Sequence, residues 1–346
     1  MTRYSLPSLL ALLSALFCCA NSASLSAQQT SYSAFYRTNW QSVNPAAIDR
    51  SYYLKRYHNT TIINAGSRLQ WIGLQGAPVN YFVSAEYCPE LDNNDSNNKF
   101  GFTAYGDKTD AISTYGLYGN YSYFFSLPYK DGHILHFGIS PGVVVYGVDQ
   151  GKLRGLDSNG NPTAGGSDPA AADNKQRVFA DFAFGMMYRI RKELYFGISV
   201  PQTFGLNLTQ RDSISKGVFR TDRLQHLNLQ IGGFINRGQF DYGINGPTVV
   251  IEPSAIMRIA PGVTFNSLFP SFFSMDANLR VHLMRQRVYG GVGASTNGTL
   301  SAEGGFTCNV GEEAKLQLGM AYGVPVFQKY LRLGHSVEVN VSYFFL

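Results

Sequence analysis

Along most of this chain, apolar and polar residues trade places one at a time. The clearest run is Ser336 to Leu346, where Val337, Val339, Val341, Tyr343 and Phe345 alternate with Glu338, Asn340 and Ser342. Successive side chains of a strand point to opposite faces, so the run predicts a strand that is greasy on one side and wet on the other. The same period recurs from residue 60 onward and marks fourteen strands in all. The first sets Ile63, Ala65, Leu69 and Trp71 against Asn64, Arg68 and Gln70; the second sets Val79, Tyr81, Val83, Ala85 and Tyr87 against Asn80, Ser84 and Glu86. The third is short, around Phe100, Phe102 and Ala104, and the eighth extends from Leu227 through Ile231 to Ile235. The tenth opposes Met275, Ala277, Leu279, Val281 and Leu283 to Asp276, Asn278, Arg280 and His282.

An even number of such strands, each with an apolar outer face and many ending in aromatic rings, predicts an all-β fold. Specifically, it predicts a transmembrane antiparallel up-and-down β-barrel. Connection lengths agree. Arg191-Lys192-Glu193, Arg285-Gln286 and Gly311-Glu312-Glu313 are short, whereas Gly147 to Gln176 and Pro201 to Arg223 are long and fall on the opposite end. No segment carries 18 consecutive apolar residues, so a membrane span must be made of strands.

The first residues read differently. Arg3, the apolar run Leu9 to Ala20 and the small residues after it predict a cleaved secretory signal over residues 1–27. Residues 28–59 hold Tyr36, Trp40 and the turn formers Asn44-Pro45, without strand periodicity, and residues 60–346 form the barrel. Asn39, Trp40, Asn44 and Pro45 therefore mark a segment that either plugs the lumen or docks a periplasmic partner.

Composition narrows the chemistry. Charged residues make up 15% of the chain and its net charge is +5, with Lys and Arg scattered, which argues against nucleic acid. The inward faces carry Arg68, Glu86, Arg189, Glu252, Arg258, Asp276, Arg280, Glu303, Lys315 and Glu338. Mixed signs fit a lumen filled by its own ion pairs, or equally a solvated channel wall. Gly138-Ile139-Ser140-Pro141-Gly142 matches a nucleophile elbow, but it lies within an alternating strand instead of a strand-to-helix turn. A hydrolase pairing Ser140 with His136 is the weakest functional reading. The histidines lack metal-ligand spacing, no cofactor is expected, and Cys88 and Cys308 have opposite parity on distant strands, which predicts free thiols.

Several motifs resemble the PorP/SprF family of outer-membrane proteins, associated with type IX secretion and gliding in Bacteroidetes. They are the opening Gln28-Gln29 with Asn39 and Asn44-Pro45-Ala46, then Gln70-Trp71-Ile72-Gly73-Leu74-Gln75-Gly76-Ala77-Pro78. Further matches are Tyr115 to Tyr121, Phe196 to Pro201, Glu252-Pro253-Ser254 and Gly334 to Glu338. Gln70, Trp71, Gly73, Gly76 and Pro78 carry the most specific motif. Gly106 to Thr114 departs from the family pattern, which leaves the third-to-fourth loop open, and the chain ends in Phe345-Leu346. The resemblance implies a non-enzymatic integral protein of the outer membrane. Its partners would be other secretion-system or surface proteins, or a periplasmic peptidoglycan-binding lipoprotein. The alternative is a passive porin or small-solute transporter.

Overall fold

The computed structural model describes residues 36–47 and 60–345, with gaps at 92–93, 96, 111, 128–131, 150–153, 157–161, 165–176, 191–193, 202–209, 212–217, 220–225, 236–248, 261–271, 285–286, 297, 312–313 and 327–333. The signal expected over residues 1–27, and residues 28–35 and 48–59 of the segment after it, lie outside the described residues.

Fourteen antiparallel strands form one closed barrel. In chain order they are β1 (Thr60–Leu69), β2 (Val79–Cys88), β3 (Asn98–Thr109), β4 (Ile112–Ser126), β5 (His133–Val148), β6 (Arg177–Ile190) and β7 (Leu194–Val200). They continue with β8 (Leu227–Gly233), β9 (Val250–Ala260), β10 (Phe272–Leu283), β11 (Val288–Ser295), β12 (Thr299–Asn309), β13 (Ala314–Pro325) and β14 (Ser336–Phe345). Each strand pairs with its sequence neighbour, and β14 pairs with β1 from Phe345 opposite Thr61 to Val337 opposite Leu69. Closure leaves no unpaired edge, which is the only way a sheet satisfies its backbone in lipid.

The two faces differ as the alternation requires. Val83, Phe102, Leu117, Ile139, Phe184, Leu279, Phe306 and Val341 are among the exposed large apolar side chains. Their strand neighbours Ser84, Thr103, Asn120, Ser140, Arg280 and Ser342 are buried in the interior. The core is thus a polar lumen, and the greasy surface faces lipid.

Three expectations need correction. β3 is not short: it runs for 12 residues, to Thr109. Its outward pattern lapses at Gly106, which is covered by the ring of Tyr81 directly across the β2 pairing. A cross-strand ring over a glycine supplies the apolar surface that the sequence position lacks. Trp71 does not continue the lipid face of β1, because the strand stops at Leu69 and Trp71 turns the chain at φ 57°. Ile235 lies beyond β8 and joins Ile251 only through an isolated bridge. The third-to-fourth loop left open by the sequence is a tight turn, with Thr109 opposite Ile112 and Asp110 at φ 40°.

The end where β1 begins, near Thr60, is called here the entry end. The long connections after β5 and β7 are at the far end and hold short ribbons, Arg154–Leu156 with Pro162–Ala164 and Gln210–Arg211 with Val218–Phe219.

Candidate functional site in the lumen

Residues 36–47 lie inside the barrel. Trp40–Val43 form α1, one helical turn closed by the Asn44 amide donating to the Trp40 carbonyl at 2.8 Å. Asn44 then folds the chain back on itself: its Oδ1 accepts from the Ala46 amide at 2.9 Å, and its carbonyl accepts from Ala47 at 2.9 Å. This is the turn chemistry for which an Asn-Pro pair is suited. Trp40 meets Tyr195 edge-on at 4.9 Å between ring centres, within a small apolar cluster that includes Ala46, Ala47 and Met187. Asn39 is also buried, so all four residues singled out here from the sequence (Asn39, Trp40, Asn44 and Pro45) have an interior setting.

One wall of the lumen holds this segment by charge. Arg37, 1% exposed, donates through Nη2 to Glu303 of β12 and through Nη1 to Ser254 Oγ of β9 at 3.3 Å. Its Nη1 is 3.9 Å from Glu252. Arg280 of β10 grips the same carboxylates, with Nη2 2.7 Å from Glu303 Oε2 and Nη1 3.9 Å from Glu252. His282 Nε2 is 2.8 Å from Glu252, and the Arg280 guanidinium stacks 4.4 Å from the centre of the Tyr289 ring. Tyr36 donates to Ser254 Oγ at 2.8 Å, and burial pushes its phenol above the ordinary pKa, which keeps it a donor.

The opposite wall holds the segment by shape. Gly101, Gly138, Gly185 and Gly197 all sit at inward positions of β3, β5, β6 and β7. A Cβ on Gly101 would overlap Gln41; on Gly138, the Pro45–Ala46 peptide; on Gly185, the Asn44 side chain; and on Gly197, Gln230 first and then Asn44. Gly138 and Gly185 are directly paired, so the seat is continuous across two strands. Around it, polar side chains read the segment's backbone. Ser199 Oγ and Asn228 Nδ2 donate to the Val43 carbonyl at 2.6 and 3.2 Å, and Lys99 Nζ donates to the Ala47 carbonyl at 3.1 Å. Asn120 Nδ2 donates to Gln41 Oε1 at 2.8 Å, and Asn44 Nδ2 to Gln230 Oε1 at 3.0 Å.

Sequence reasoning named Glu252, Arg280 and Glu303 as inward-facing but missed Arg37, Gln41, Lys99 and the four glycines as a set. Two further ion pairs join the inward faces: Lys99 with Glu86 at 3.0 Å, and Arg258 with Asp276.

Gln70, Trp71, Gly73, Gly76 and Pro78 are not part of this seat. They form the far-end turn after β1, where the Gln70 amide donates to the Pro78 carbonyl at 3.0 Å. Gly73 and Gly76 take positive φ of 102° and 77°, which only glycine adopts without strain. The turn leans on two neighbours: the Ile72 amide donates to the His335 carbonyl at 2.8 Å, and Gly76 abuts Asp110. A separate cavity of about 50 Å³ lies near this end, lined by Arg68, Asp276, Ser301 and Glu338 among others.

The hydrolase reading finds little support. Ser140 is 2% exposed and donates to Asn120 Oδ1. His136 is buried beside Phe124 at 5.3 Å between ring centres. Cys88 and Cys308 form no disulfide, and among the described residues no group of His, Cys, Asp and Glu is arranged to hold a metal.

Comparison with known proteins now adds to the geometry. A family model described as type IX secretion system membrane protein PorP/SprF matches residues 24–343. Among solved structures, the chain is similar to the CymD monoaromatic hydrocarbon channel, at 12% identity and a TM-score of 0.53, covering 88% of this chain and 92% of that one. It is also similar to a TodX monoaromatic hydrocarbon channel deletion mutant, at 12% identity and a TM-score of 0.50, covering 94% and 97%. At that identity the likeness shows the barrel fold alone. No curated protein matches the chain. The family match and the closed barrel make this an integral outer-membrane protein.

Proposed function

We propose that this chain, which belongs to the PorP/SprF family of type IX secretion system membrane proteins, works in that apparatus by binding its partners, as a barrel plugged by its own residues 36–47. It carries no catalytic role in this reading. The observation that supports it most is the seating of Arg37, Trp40 and Asn44 against inward side chains from β7 to β12. A lumen so filled suits a closed scaffold better than a conduit. In barrels of this kind the chain enters from the periplasm, so the plugged end faces the periplasm and the turn carrying Trp71 faces outward. Cargo bearing the secretion signal, or a surface protein that needs an anchor, meets the outward loops. A peptidoglycan-binding lipoprotein meets the entry end.

A deletion strain tests the role. Loss of all signal-bearing cargo from the surface is expected of a core component, and loss of one surface protein marks a dedicated anchor; normal secretion overturns the proposal. Removing residues 28–47 tests the plug separately. The barrel should still assemble and should conduct ions in planar bilayers, whereas the parent protein should not. A parent barrel that conducts freely would favour the solute-transporter reading instead.

A further inference from the structure

We infer that Glu252, Glu303 and Arg280 form a guanidinium-binding site in the lumen wall, that Arg37 is its resident ligand, and that this occupancy keeps the segment seated. The inference rests on the plug reading above and assigns its retention to one group.

Charge comes first. The wall brings two carboxylates and one guanidinium together, with the Glu252, Glu303 and Arg280 side chains 5%, 4% and 1% exposed. The two carboxylates face one permanent cation of the wall, Arg280, and Arg37 supplies the second guanidinium, while His282 Nε2 meets Glu252 at 2.8 Å. Buried so deeply, an unbalanced carboxylate has little water to turn to, so the vacant site is costly and selects a cation. Arg258 stands nearby in sequence on β9, but it is engaged by Asp276.

Shape then selects among cations. Arg37 presents Nη2 to Glu303 and Nη1 to both Ser254 and Glu252, so its planar fork spans acceptors on β9 and β12 at once. A compact ammonium lacks that span and geometry. The site therefore takes a guanidinium, whether on this chain, on a peptide or free. The glycine wall, by contrast, carries no carboxylate against the segment: it offers clearance, and its one cation there, Lys99, donates to the Ala47 carbonyl.

The test uses the full-length protein in planar bilayers, with heat-modified gel mobility to confirm that each variant is a folded barrel. Arg37→Ala is expected to raise conductance at least tenfold over the parent, and millimolar guanidinium chloride to reverse most of that rise. The same concentration of tetramethylammonium chloride should leave it in place. Arg37→Lys is expected to conduct at an intermediate level, and this second variant keeps the test valid if Arg37→Ala folds poorly. Adding Glu303→Gln to Arg37→Ala should abolish the guanidinium response. If deletion of residues 28–47 opens the barrel while Arg37→Ala and Arg37→Lys stay closed, the lock is overturned and the plug stands. Equal responses to both cations would also overturn the site. If the deletion itself stays closed, the plug reading fails first.

Discussion

The two walls that hold residues 36–47 work by different physics. The wall of β9, β10 and β12 grips Arg37 with buried carboxylates, whereas the wall of β3, β5, β6 and β7 removes its own side chains so that the Asn44–Ala46 turn can lie against the sheet. One wall is defined by groups that are present, the other by groups that are missing. An ionic grip fails when one partner is lost, since the remaining charge is stranded. A steric seat tolerates loss and fails only on addition. The segment thus crosses the lumen between a wall sensitive to deletion and a wall sensitive to insertion.

That asymmetry can be tested in order of expected effect. Glu303→Ala would leave Arg37 and Arg280 sharing only Glu252, and the loss of one partner in such a buried network costs about 3–5 kcal/mol. Urea titration of the folded barrel in lipid vesicles should show it as the largest drop in midpoint among these variants. Gly138→Val on the steric wall should cost about 1–3 kcal/mol, because the added side chain meets the Pro45–Ala46 backbone. The matched control is Gly119→Val on β4, where a Cβ would meet no atom within 4 Å. It should shift the same curve by under about 0.5 kcal/mol. If the two valine variants behave alike, the seat has no steric role. Among the variants that touch the segment, the smallest effect is expected of Ser199→Ala. It removes one of two donors to the Val43 carbonyl and leaves Asn228 in place, for an expected loss near 1 kcal/mol. Limited proteolysis should show residues 36–47 released in Glu303→Ala and Gly138→Val and retained in Ser199→Ala.

The barrel was legible because period two is a strong signal when one face must be greasy and the other wet. Ile63, Val83, Leu117, Ile139, Leu279 and Val341 all face outward as their parity predicts. The misreadings have local causes. At Gly106 the outward surface is lent by Tyr81 from the next strand, so no single-strand pattern could display it. At Trp71 the apolar parity continued past the point where a left-handed residue ends the strand. The seat was less legible. Asn44-Pro45 announced a turn, but its location depends on glycines at positions 101, 138, 185 and 197, which in sequence read merely as weak strand residues. Arg37 finds Glu303 across a sequence separation of 266 residues, and no local pattern encodes that meeting. Glu252 and Glu303 were readable as inward charges, but which cation would answer them was settled only by three-dimensional pairing.

The seam between β1 and β14 has a consequence for how the molecule is made. The cylinder is sewn shut by residues near the two extremities of the sheet, so a polypeptide cut short before Ser336 would present two raw borders to hydrocarbon. Such a fragment has no stable home in the bilayer. The geometry of the stitch thus acts as a proofreading step: only a chain translated and delivered through its final strand can be retained.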